Sequence, residues 1–130
     1  MKPLTILLLL AATAAAVASL VTGASYLGFV VSGGLPVGNV IAAIALIAPA
    51  VLAVVVSAPG SALKTAALVM LCAALAWLPV SILLAGNLAL NFSGWRGSAW
   101  MGFSLVTGLG VLCVLAWATV HRLAATRPRI

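Results

Sequence analysis

Four long apolar runs, each of a length that crosses a bilayer, set most of what this chain can fold into. A bilayer's hydrocarbon core is about 30 Å thick, and a helix needs roughly 20 apolar residues to span it. The runs cover residues 4–31, 37–58, 63–85 and 98–123, and the only basic side chains within them, Lys64, His121 and Arg122, stand at their edges. Turn-forming residues end each run: Ser32-Gly33-Gly34-Leu35-Pro36, then Ala58-Pro59-Gly60-Ser61, then Gly86-Asn87, then the polar tail Thr126-Arg127-Pro128-Arg129. Glycine and proline punctuate helices. Strands of a membrane barrel alternate in polarity, whereas these runs are continuously apolar, so each is expected to be a helix. Short connections make successive helices antiparallel neighbours. The expected fold is a single domain over 1–130, an all-α integral membrane protein built as a four-transmembrane-helix antiparallel bundle.

The first run is too long for an upright span. As one helix, residues 4–31 would extend about 42 Å. Either it tilts, or the helix loosens near Gly23 and the remainder lies at the interface. Its start also resembles a signal peptide: Met1-Lys2, then an apolar stretch, then Ala16-Val17-Ala18 before Ser19 as a cleavage-like site. The apolar run continues well past that site, so the segment is expected to remain as the first span.

Charge narrows the chemistry. The chain carries six Lys or Arg, one His and no Asp or Glu. That excludes a catalytic carboxylate pair, a Ser-His-Asp triad, acidic ligands for Mg²⁺ or Ca²⁺ and a carboxylate proton relay. Alternation of four spans puts Lys2, Lys64, Arg122, Arg127 and Arg129 on one side and Arg96 alone on the other. Cytoplasmic loops carry the excess of Lys and Arg. Both termini are therefore expected in the cytoplasm, with the protein in an inner or plasma membrane. The outer side would carry Tyr26, Phe92, Trp95 and Trp100 as an aromatic belt, and Trp117 would stand near the inner end of the fourth helix.

Few residues offer reactivity. His121 is the only candidate for a cofactor ligand, and a lone His cannot supply a second axial ligand; the simpler reading is an interfacial His among basic anchors. Cys72 and Cys113 are read as free, buried small hydrophobes at similar depth, without redox spacing and too few for a zinc site. Pro49 and Pro79 free the carbonyls of Ala45 and Leu75 and are read as structural kinks. Asn91-Phe92-Ser93 matches the glycosylation tripeptide but lies close to the bilayer. Arg96, between Trp95 and Trp100, reads as an interface anchor. No metal or cofactor is expected, and six dispersed bases make no nucleic-acid patch.

Two families of small four-helix membrane proteins fail on their motifs. Fluoride channels carry Gly-Gly-x-x-Gly-Ala-x-x-Arg, whereas Gly33-Gly34-Leu35-Pro36-Val37-Gly38 has another spacing and no following Arg. Small multidrug exporters depend on a membrane Glu, which is absent here.

Small residues form the strongest pattern. Ala11, Ala15, Ser19 and Gly23 recur every four residues along the first helix, and Ala12, Ala16, Ala24 and Gly28 make a second row interrupted by Leu20. Gly94, Ser98 and Gly102 continue the theme into the fourth helix, followed by Ser104 and Gly108. Such spacing lets helix backbones approach closely. With one row used inside the bundle, the other is left for a partner. The expected function is therefore a small non-enzymatic accessory or structural subunit of a larger membrane complex, touching lipid and other membrane subunits or a second copy. The alternative is a small oligomeric channel or passive transporter for an anion or neutral solute, lined by Ser81, Ser104 and Thr107.

Overall fold

The computed structural model describes residues 3–23 and 25–125. Lys2, Ala24 and the Thr126-Arg127-Pro128-Arg129 tail, which enter the orientation and packing expectations, lie outside the described residues. Among the described residues the chain is all-helical, with no strand beyond one isolated bridge pairing Val30 with Pro36. The helices are α1 (Pro3–Val21), α2 (Val37–Val56), α3 (Ala62–Ala85) and α4 (Trp95–Ala125), with a 3₁₀ turn at Ser25–Gly28. All four α-helices are long and apolar enough to cross a membrane.

Local chemistry sets the ends. α1 stops at Val21 and does not continue to residue 31, because Gly23 turns left-handed at φ +59°. Of the two ways to accommodate the long first run, the chain thus loosens near Gly23. The 3₁₀ turn follows, and Val31 N–H donates to Leu35 O at 2.8 Å and Val37 N–H to Phe29 O at 2.7 Å, closing a small hairpin. α2 starts after Pro36 and ends at Val56, two residues short of the expected 58. The cause is Pro59, which disfavours the helical region for Ala58 before it. Ser61 caps α3, its Oγ accepting from Lys64 N–H at 3.1 Å, and left-handed Gly86 ends that helix with its N–H on Ile82 O. α4 begins at Trp95, three residues earlier than expected, after left-handed Gly94. Pro49 and Pro79 both lie inside helices that continue through them.

The helices do not contribute equally. α2 packs on α1, α3 and α4, whereas α1 makes its substantial contact with α2. A third of the α2 span is buried (33%) against 6% of the α1 window, so α2 is the central helix. The core joins Ala50 of α2, Ala74 of α3 and Val111 of α4, flanked by Leu46, Ile47, Met70 and Leu71. The arrangement is a packed trio, α2–α3–α4, with α1 laid along α2, rather than four helices around one shared seam. α3 and α4 run antiparallel: Met70 faces Gly110, Trp77 faces Ser104 and Ser81 faces Trp100, partner numbers falling as α3 numbers rise.

Small residues make this packing possible, but chiefly on helices other than those singled out from sequence. Ala43, Ala48, Ala50 and Ala53 are buried on α2, and Ala67 and Ala74 on α3. On α4 the close approaches are at Gly108, near Leu46, and at Gly110, where a Cβ would collide with Met70 Sδ. At Gly110 the missing Cβ leaves room for the Met70 thioether against the α4 backbone, and dispersion holds the contact.

Candidate functional site

The trio has two ends of opposite character. One holds the indoles of Trp77 and Trp100. Trp77 Nε1 donates to Ser104 Oγ at 2.8 Å, and Trp100 Nε1 donates to Ser81 Oγ at 3.0 Å. The pairing is reciprocal because α3 and α4 each carry Trp-x-x-x-Ser, and antiparallel packing sets each tryptophan against the other helix's serine. Ser81 is fully buried and its hydroxyl donates to Trp77 O at 2.6 Å. Phe92 stacks on Trp100 with centroids 4.8 Å apart. Asn39, in the first turn of α2, donates to Leu88 O at 2.9 Å and so ties the α3–α4 loop to α2. A cleft of about 630 Å³ opens beside this cluster, with Leu20, Asn39, Leu46, Trp77 and Trp100 in its walls. Of the expected aromatic belt, Tyr26 and Trp95 are exposed, whereas Phe92 and Trp100 turn inward.

Trp77 and Asn39 were not among the residues read as significant from sequence. Two Trp-x-x-x-Ser spacings on consecutive helices were the available signal.

The other end is basic. The last turn of α2, the Ser57–Ser61 turn, the start of α3 and the last turns of α4 surround a cleft of about 820 Å³. Lys64, His121 and Arg122 all line it, with Val56, Leu63 and Trp117 among its apolar walls. Lys64 Nζ donates to Val54 O, one of the last carbonyls of α2. In a chain with no Asp or Glu, the partial negative charge at a helix C-terminus serves as a counter-charge. The same logic holds for Arg96, whose Nη1 lies 3.8 Å from where a Cβ on Gly86 would stand, at the C-terminal end of α3. His121 and Arg122 are exposed, and among the described residues neither side chain has a hydrogen-bond partner.

The remaining sequence-derived candidates are dispersed. Cys72 and Cys113 are free, but both are exposed on helix surfaces rather than buried, because they face away from the trio's interior. Among the described residues no three His or Cys side chains gather as metal ligands. Ala11, Ala15, Gly23 and Gly28 are exposed and Ser19 is half-buried, while Ala16 is buried at 6% exposure, alone in α1 among the described residues. Ser98 and Gly102 are exposed on α4, and nothing lies within 4 Å of a Cβ built on Gly102. Thr107 is buried. Comparison with family models, curated proteins and solved structures yields no match, so the reading rests on the chain's own geometry.

Proposed function

We propose that this chain is a multi-pass membrane protein with both termini in the cytoplasm, and that it serves as a non-enzymatic accessory subunit of a larger inner-membrane complex. One observation carries the partner role: α1 spends a single face on the rest of the chain. Ala16 is buried and Ile6, Leu9, Ala12 and Leu20 are half-buried, while Leu7, Ala11, Ala15 and Ala18 are exposed. The exposed side also carries Leu7, Leu8, Leu10 and Val17, which suit lipid, but between them the small residues Ala11, Ala15 and Ala18 leave a groove that another helix fills better. The membrane reading is supported by four apolar helices of spanning length, and the orientation by five bases against one.

The alternative, an oligomeric channel or passive transporter, has weaker support. Its proposed lining hydroxyls are committed elsewhere: Ser81 and Ser104 accept indole N–H groups, and Thr107 is packed inside.

The test separates the two faces of α1. Purified in mild detergent, Ala11→Leu and Ala15→Leu variants should lose co-migrating partners or shift to a smaller assembly on a native gel. Each contact should weaken by about 1 kcal/mol or so. Ala16→Leu should instead loosen α1 from α2 and lower the thermal midpoint. Unchanged assembly for both exposed-face variants would remove the basis for the accessory-subunit reading.

A further inference from the structure

We infer that the basic cleft is a binding site for an anionic phospholipid, with the phosphate held by Lys64, His121 and Arg122 and an acyl chain leaving along the apolar wall. The inference rests on the membrane-spanning part of the reading above and adds to it a ligand and a location.

Convergence is the first observation. Of the four basic side chains among the described residues, Lys64, His121 and Arg122 line one cleft and only Arg96 does not. Lys64 comes from the first turn of α3 and the other two from the last turns of α4, so tertiary packing, not sequence adjacency, brings the set together. The chain supplies no Asp or Glu as counter-ion. Lys64 spends one of an ammonium's three donors on Val54 O, leaving two, and a guanidinium presents five donors suited to phosphate oxygens. The complement of this set is an anion from outside the chain.

The walls select the kind of anion. Val56, Leu63 and Trp117 line the same space. A small hydrated anion gains nothing from them, whereas an amphiphile buries its apolar part there. Depth agrees. α4 has 31 residues, which is about 46 Å of helix against a hydrocarbon core of about 30 Å. Its last turns, with His121 and Arg122, thus reach the headgroup level, and Trp117 one turn earlier sits where interfacial tryptophans collect. In the proposed orientation this end meets the cytoplasmic leaflet, which is rich in anionic lipid.

The full-length chain in neutral detergent is titrated with phosphatidylglycerol, with phosphatidylcholine of equal chain length, and with inorganic phosphate, and bound lipid is counted by native mass spectrometry. The site predicts preference for phosphatidylglycerol over both others. Each neutralised Lys or Arg near the phosphate should weaken that binding about fivefold, and loss of the His121 ring removes a hydrogen-bond donor rather than a charge. Arg122→Gln is the primary variant, because its side chain is exposed at the cleft, and His121→Gln with Arg122→Gln extends the series. Arg96→Gln, at the far end, should bind like the parent. Equal phosphatidylglycerol binding by Arg122→Gln and the parent overturns the site. So does an equal loss in Arg96→Gln, which would reflect net charge alone, and so does phosphate binding as tightly as the lipid. Flotation of the chain with phosphatidylcholine vesicles is scored separately: failure there refutes the membrane reading, whereas flotation without lipid preference refutes only the cleft.

Discussion

The two ends of the α2–α3–α4 trio solve the same problem in opposite ways. Each must manage polar groups in a chain that is two-thirds hydrophobic. At the aromatic end the polar groups satisfy one another: Trp77 with Ser104, Trp100 with Ser81, Asn39 with Leu88 O. At the basic end Lys64 leans on the carbonyl of Val54, while His121 and Arg122 face an open cleft. A closed network holds helices together and leaves little for a ligand. An open one contributes little to folding and keeps its donors for something else. Stability and binding should accordingly separate along the long axis of the molecule.

The largest effect should come from the closed end. Trp77 is 5% exposed, and Trp77→Ala removes its ring and leaves Ser104 without its donor. A loss of about 3 kcal/mol is expected, the ordinary cost of emptying a buried aromatic site. Trp117 at the open end is 67% exposed. Trp117→Ala should shift unfolding by no more than about 0.5 kcal/mol, as surface substitutions do. Denaturation of both variants in the same micelle checks the contrast, and equal losses would mean that the ends are not energetically distinct.

A smaller effect isolates the reciprocal hydrogen bonds. Ser81→Ala deletes the acceptor for Trp100 Nε1 while keeping the volume nearly constant. The expected cost is about 1 kcal/mol, since a half-buried indole N–H loses its partner. Combined with Trp100→Phe in a double-mutant cycle, the coupling should be near 0.6 kcal/mol, the mean for interhelical bonds in membranes. Zero coupling would show that ring packing, not the hydrogen bond, joins α3 to α4.

What could be read from sequence follows from which forces are local. Helix ends are written in single residues: Pro59 halting α2, Ser61 opening α3, Gly86 closing it. Three of the four spans were therefore legible to within three residues, and the early stop of α1 at Gly23 was one of two options open. The centrality of α2 was not legible. Lipid tails are as apolar as a leucine side chain, so hydropathy does not tell a buried helix from a lipid-facing one. Alanine abundance then spreads small-residue rows over every span, and the rows on α1 drew attention from the buried alanines of α2. At the open end, topology placed Lys64 and Arg122 on one side of the membrane. Their meeting in one cleft depends on how the α2–α3 turn lies against α4, which is a tertiary fact.

The smallest effect tests whether the open end contributes to the fold at all. Lys64 is half-buried and its ammonium meets Val54 O, so it serves the C-terminus of α2 as well as lining the cleft. A cation at a helix C-terminus is worth about 0.3–1 kcal/mol. Lys64→Met keeps most of the stem's packing and deletes the charge, so a loss of about 0.5 kcal/mol is expected. Arg122 stands in the last turn of α4 but is exposed and makes no such bond, so Arg122→Gln should cost less, about 0.3 kcal/mol at the low end of that range in neutral detergent. Once phosphatidylglycerol is added, both variants should gain less stability from the lipid than the parent does, and the difference between them seen in detergent should persist, because each lacks one of the cations that hold the phosphate. Salt sharpens the distinction, since added electrolyte screens exposed charges far more than partly buried ones. The Lys64 contribution should largely survive high salt and the lipid contribution of Arg122 should not. If Lys64→Met and Arg122→Gln both prove neutral without lipid, the basic end plays no part in holding the helices, and the division between a holding end and a binding end becomes complete.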